Sequence, residues 1–292
     1  TRFIDDLSLP GMLHCAILRS PHAHARVVSV DASDALSLPG VAAVVSGEDA
    51  LRWTERALTV PAGWGTHCLA TDRVRFAGEP VAAVAATSRA LAEDALERIR
   101  VEYAPLPAVV DARQAERPES TPIFEEHGHN IVFQRVFCWG DVEGAFRDAD
   151  RVVERSFRWH RLGANPMETF GVISQWDPVE GSLTCHGSFQ SQSQMALGRA
   201  ASLRLPSHKV RLISQPHGGS FGGKGGSRGT DISALLSRKA GGRPVKWIED
   251  RIEYMSGGAS QSWDRHYTAS LALLRDGTVT GLRVRLVDDL GA

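Results

Sequence analysis

The sequence predicts an α+β fold, and three features carry the prediction. Short strand-like runs open the chain and give way to a strand–helix–strand set before residue 110. Residues 104–130 hold four prolines and the polar cluster Glu116-Arg117-Pro118-Glu119-Ser120-Thr121-Pro122, which marks a break between two folded parts. Beyond the break, a strand at 209–214 runs into Gly218-Gly219-Ser220-Phe221-Gly222-Gly223-Lys224, in front of a helix beginning near Thr230. The division expected is a first domain at 1–110, a linker at 111–135 and a second domain at 136–292.

The elements follow in order. Residues 12–18, 26–30 and 41–45 read as strands, each closed by Gly, Pro, Asp or Ser. The continuous apolar run 81–85 suits a buried strand. Ser88 opens a helix with Leu91, Ala92, Ala95, Leu96 and Ile99 at helical spacing, and 99–103 returns as a strand. Asp141 caps a short helix at 142–148, and 151–159 alternates like an exposed strand. Residues 170–176 and 183–189 form a hairpin around Asp177-Pro178-Val179-Glu180-Gly181. A helix at 193–203 precedes the strand into the glycine bend, and the helix after the bend stops at Gly241-Gly242. A strand at 244–249 and a hairpin of 267–274 with 278–287 complete the chain.

Composition narrows the function classes. A hydrophobic share of 42% against 23% charged describes a globular chain. The net charge of −1 leaves no basic excess to neutralise phosphates, so nucleic acid is not expected as a partner. No apolar run approaches the roughly 20 residues of a membrane span. Cys15, Cys68, Cys138 and Cys185 lie far apart, fit no zinc or iron–sulfur spacing, and read as buried free thiols in a reducing, cytoplasmic compartment. The chain begins Thr1-Arg2-Phe3, so an N-terminus trimmed, processed or lying in further sequence is expected.

The glycine bend is the main candidate site. A glycine-rich turn between strand and helix brings bare N–H groups against a ligand, usually one bearing phosphate. Its spacing nearly matches a P-loop, but Gly225 stands where Ser or Thr would hold magnesium. A plain tight turn is the remaining reading. Phe221 at the centre requires something flat or apolar to touch. Gln190, in the polar run Gln190-Ser191-Gln192-Ser193-Gln194, reads by itself as a surface residue. On a strand His22 and His24 would share a face, but two ligands do not close a metal site, so a structural or interface role is expected and no metal ligand is assigned. Glu249 and Asp250 read as the cap of the helix that follows. Glu168 reads either as a buried structural carboxylate or as part of a substrate channel.

Gly218 to Lys224 resembles the glycine–phenylalanine loop of the molybdenum hydroxylase large subunits, the family of xanthine dehydrogenase, aldehyde oxidase and aerobic carbon monoxide dehydrogenase. The likeness runs along nearly the whole chain. It includes Phe3-Ile4-Asp5-Asp6-Leu7, Leu18-Arg19-Ser20-Pro21-His22-Ala23-His24-Ala25-Arg26 and Val74-Arg75-Phe76-Ala77-Gly78-Glu79-Pro80-Val81-Ala82. It continues in Asn165-Pro166-Met167-Glu168, Gly187-Ser188-Phe189-Gln190 and Arg243-Pro244-Val245-Lys246-Trp247-Ile248-Glu249-Asp250-Arg251.

The resemblance implies an α/β hammerhead-like domain followed by the first part of a molybdopterin-binding domain, with mixed sheets and helices. It implies hydroxylation of an aldehyde, N-heterocycle or similar small substrate with water as oxygen source, on a molybdenum-bearing molybdopterin cytosine dinucleotide. Gly219, Ser220, Phe221, Gly222 and Gly223 would contact that cofactor, and Gln190 would both contact it and act catalytically by donating to an oxo ligand. FAD and [2Fe-2S] clusters would sit in a medium and a small partner subunit, and the remainder of the large subunit, with its glutamate base, would lie outside this chain or on a second one. Ser220 departs from the family's middle glycine and restricts the backbone there. Gly225 replaces the glutamate of purine-hydroxylating members, which points to the carbon monoxide dehydrogenase-like branch. A non-catalytic cofactor-holding or scaffold subunit of a split enzyme is the alternative.

Overall fold

The computed structural model describes residues 1–59, 61–225, 228–257 and 260–291. They group into two compact units, one of 1–108 with 163–261 and one of 109–162 with 262–291.

The first unit is built on a seven-stranded mixed sheet. Its strands begin with β1 (Leu13–Arg19), while β2 (Ala25–Asp31) belongs to a smaller sheet. Then come helix α1 (Ser33–Leu36), strand β3 (Val41–Ser46), helix α2 (Gly47–Trp53), strands β4 (Arg73–Val74) and β5 (Pro80–Ala86), helix α3 (Arg89–Leu96) and strand β6 (Arg100–Pro105). Strands β4, β2 and β6 form the smaller antiparallel sheet, in that order.

The second unit holds α4 (Ala112–Ala115), α5 (Val142–Arg147) and β7 (Arg151–Trp159). The short strands β8 (Leu162–Gly163) and β13 (Ser260–Ser262) lie where the chain passes between units. Strands β9 (Gly171–Asp177) and β10 (Ser182–Gly187), helix α6 (Gln192–Ser202), strand β11 (Val210–Ser214), helix α7 (Arg228–Lys239), strand β12 (Val245–Ile248) and helix α8 (Arg251–Ser256) return to the first unit. Strands β14 (Arg265–Leu273) and β15 (Val279–Asp288) pair with each other, and β14 pairs with β7, as a three-stranded antiparallel sheet.

The large sheet runs β11-β10-β9-β12-β1-β5-β3. Its join is the parallel pair of β12 with β1, where Leu13 meets Val245 and His14 meets Lys246. One sheet thus unites strands from the two ends of the sequence. Every residue of β5 is buried, which explains its unbroken apolar run. Ala83 and Ala85 face a core with Leu13, Phe170, Ile232, Leu235 and Trp247, under α7. Ala82, Val84 and Ala86 face the opposite core with Ala92, Ala95 and Ile99 of the α3 side. Ser88 caps α3 by accepting from the Leu91 N–H, and Asp141 caps α5 by accepting from the Gly144 N–H. Gly241 and Gly242, at φ 71° and 90°, end α7 in left-handed conformations.

The helices α1 and α2 carry no clear 3.6-residue pattern and were not expected. Cys15, Cys68 and Cys185 are buried, and burial pushes the Cys185 thiol up to about 12. Cys138 corrects the expectation of buried thiols: it is exposed between Phe137 and Trp139. His24 is buried with Nδ1 on the Pro107 carbonyl at 2.9 Å, and the His22 ring packs on Tyr103. The pair therefore has structural contacts. No helix among the described residues is long and apolar enough to cross a membrane.

Candidate functional site

The loop after β11 carries three left-handed residues close together: Gly219 at φ 90°, Phe221 at 51° and Gly222 at 91°. For Phe221 this conformation is strained, and its ring is 65% exposed although phenylalanine prefers the core. Ser220 does not adopt positive φ, so its substitution for glycine costs no backbone freedom where freedom is needed. Its hydroxyl is put to use, donating to Gln190 Oε1 and accepting from the Lys224 N–H.

Gln190 sits beside the loop because its N–H donates to the Lys224 carbonyl. Its Oε1 also accepts from the Gly222 N–H at 3.0 Å. A backbone donor requires an acceptor, so this contact fixes the amide with oxygen toward the loop. Nε2 then faces outward as a donor with no partner among the described residues. The N–H groups of Gly219, Ser220 and Phe221 also have none there. The structure thus brings Gln190 together with Gly219, Ser220, Phe221, Gly222 and Gly223 in one cradle.

Several residues hold that cradle in place. Glu168 Oε2 accepts from the Gly218 N–H and from Lys224 Nζ, each at 2.8 Å. Arg251 donates to the carbonyls of Pro166 and Met167, fixing the turn that carries Glu168. A side chain at Gly223 would lie 2.3 Å from the Tyr254 hydroxyl oxygen, so the loop there is packed against α8. Asp250 caps α8 as expected, in a reciprocal cap with Glu253, but Glu249, expected in the same cap, lies buried outside it and accepts from the Phe170 N–H. Glu79, with no exposed surface, pairs with Arg228 at the start of α7 at 3.2 Å and accepts from the Arg75 N–H. The motif around Gly78 and Glu79 therefore anchors the helix that follows the loop. Sequence reading missed this role; the signal was a glutamate inside an otherwise apolar stretch.

Glu249, at the end of β12, is 7% exposed. Burial pushes its carboxyl up to about 7; the Phe170 N–H opposes this, and the charge of Glu253 adds to it. The neutral form is thus favoured by the fold, and stability falls as pH rises from about 4.5 to about 7. Glu249→Gln is expected to match the parent at pH 5 and exceed it at pH 8 by on the order of 3 kcal/mol. Urea midpoints at the two pH values check this; equal differences at both would remove the carboxyl from the account.

Among the described residues no group of three or more His, Cys, Asp or Glu is placed to hold a metal ion. The left-handed glycines, the open donors and the exposed flat ring fit a large, anionic, partly planar cofactor.

Comparison with known proteins identifies the two domains of the chain. Residues 1–107 match the aldehyde oxidase and xanthine dehydrogenase a/b hammerhead domain, and residues 123–292 match the molybdopterin cofactor-binding domain. The carbon monoxide dehydrogenase large chain of Afipia carboxidovorans is 36% identical, over 99% of this chain and 37% of that protein. The nicotine 6-hydroxylase large subunit of Paenarthrobacter nicotinovorans is 31% identical, over 100% of this chain and 36% of that protein. Quinoline 2-oxidoreductase from Pseudomonas putida 86 superimposes with a TM-score of 0.88 at 35% identity, over 98% of this chain and 37% of that one. The chain thus spans a little over a third of the length of these relatives. With its hammerhead domain, its molybdopterin cofactor-binding domain and such relatives, the chain belongs to the xanthine dehydrogenase and aldehyde oxidase family of molybdenum hydroxylase large subunits.

Proposed function

We propose that the loop from Gly218 to Lys224, with Gln190, holds a molybdenum-bearing molybdopterin in its cytosine dinucleotide form, as the cofactor-holding part of a large subunit. The observation that carries this is the Gln190 amide, whose oxygen is locked to the loop so that its nitrogen is presented outward. When bound, the cofactor supplies the redox and oxygen-transfer chemistry. The chain's own contribution is positioning. Gly219, Ser220 and Phe221 offer backbone donors, Phe221 offers an apolar face, and Gln190 Nε2 donates without adding a titrating group at the reacting centre.

The whole protein is read as a cytoplasmic hydroxylase of an aldehyde, N-heterocycle or similar small substrate, with FAD and [2Fe-2S] clusters in partner subunits. Gly225 in place of glutamate supports a substrate other than a purine. The division into a first domain at 1–110, a linker at 111–135 and a second domain at 136–292 is part of the same reading; the family match over 1–107 supports its first boundary, and the match over 123–292 begins within the proposed linker.

Metal and pterin analysis of the chain purified with its partners tests the reading. Stoichiometric molybdenum with a cytosine dinucleotide supports it, and absence of both favours a scaffold. Gln190→Ala is expected to keep the fold and lower turnover. Loss of one hydrogen bond to a charged group costs about 1.5–3 kcal/mol, roughly a ten- to hundred-fold rate effect. An unchanged rate with full cofactor would return Gln190 to an ordinary surface residue.

A further inference from the structure

We infer that Glu168 and Lys224 are positioning residues that close the glycine loop and set its backbone for the cofactor; this rests on the reading of the loop proposed above. One oxygen, Glu168 Oε2, receives the Gly218 N–H at the loop's entry and Lys224 Nζ at its exit, both at 2.8 Å. The Glu168 N–H returns a bond to the Gly218 carbonyl at 3.3 Å. A side chain at Gly218 would meet Glu168 Cβ at 2.9 Å, so the two backbones need this close approach. The Lys224 side chain has no exposed surface and that of Glu168 is 20% exposed.

A buried ion pair is a poor way to gain stability, because desolvation offsets most of the attraction. An apolar pair of the same size would serve packing equally well. What it would not do is bind the first and last residues of a seven-residue bend to a single atom. Between those two points lie Gly219, Phe221 and Gly222 in left-handed conformations, free for the glycines and strained for Phe221. Arg251, bonded to the Pro166 and Met167 carbonyls, fixes the Glu168 end of the clasp.

Two double variants separate positioning from packing. Glu168→Leu/Lys224→Met and Glu168→Gln/Lys224→Met both remove the two charges, and only the second keeps an oxygen for the Gly218 N–H. Melting temperature, amide hydrogen exchange at Gly218 to Gly225, and molybdenum and pterin content are measured in the protein purified with its partners, beside Gly222→Val. The expected result is similar melting of the two double variants. Exchange in the loop should be about tenfold faster in the leucine variant, with less cofactor, and closer to the parent in the glutamine variant. Parental exchange and cofactor in the leucine variant, with cofactor lost in Gly222→Val, would overturn the clasp and leave the loop assignment standing. Equal changes in the two double variants would reduce the pair to packing and overturn the proposal. Full cofactor in Gly222→Val would remove the loop from the cofactor site and the positioning role with it.

Discussion

Gly222→Val is expected to yield a folded chain that retains no molybdopterin. Gly222 sits at φ 91°, where a β-branched side chain costs on the order of 1–3 kcal/mol. The loop relieves that strain by moving. Movement breaks the bond from the Gly222 N–H to Gln190 Oε1, and with it the lock on the Gln190 amide. The valine would also stand beside Phe221, where the cofactor is proposed to approach the backbone. Two losses therefore follow from one substitution: the cradle closes, and the outward donor swings free. Molybdenum and pterin content after purification reads the first, and circular dichroism confirms that the fold persists. Full occupancy in the folded variant would overturn the assignment of this loop.

The largest stability effect is expected at Trp247. It is 2% exposed on β12, its ring lies 6.1 Å from that of Phe170, and it fills the space beneath α7. Trp247→Ala removes that filling and should cost about 3–5 kcal/mol, read from the shift in the urea midpoint. Its close neighbour is Gly229, where an added Cβ would lie 2.1 Å from the Trp247 ring. Gly229→Ala alone should destabilise by about 1–3 kcal/mol through overpacking. In the Trp247→Ala background the same change should be near neutral, because the ring it strikes is gone. Additive costs in the double variant would show that the helix and strand do not meet there.

The glycine loop and the β12 contact differ in how far they could be read before folding. Glycine density around Phe221 and the strand before it are local, so the bend itself was legible. The partner of each group was not. Nothing in the spacing of Glu168 and Lys224, 56 residues apart, signals that they meet. The same holds for Glu79 and Arg228, 149 residues apart. Ser220 was read as a restriction on the backbone; in the structure its neighbours carry the positive φ values, and its hydroxyl binds Gln190.

Local chemistry in the sequence determined the element types: alternation at 151–159, the buried run of β5, the caps at Ser88 and Asp141, and the glycine stop of α7. The caps and the glycine stop depend on contacts within a few residues, and the alternation and the apolar run are patterns of side-chain spacing, so all of them are legible along the chain. Tertiary structure decided what those elements join. It placed β12 beside β1, turned the Gln190 amide by a bond from Gly222, and gathered Glu168, Lys224 and Gly218 on one oxygen. Such meetings are set by the closing of long loops and by the need to satisfy every buried donor, and those conditions exist only when the whole sheet is assembled.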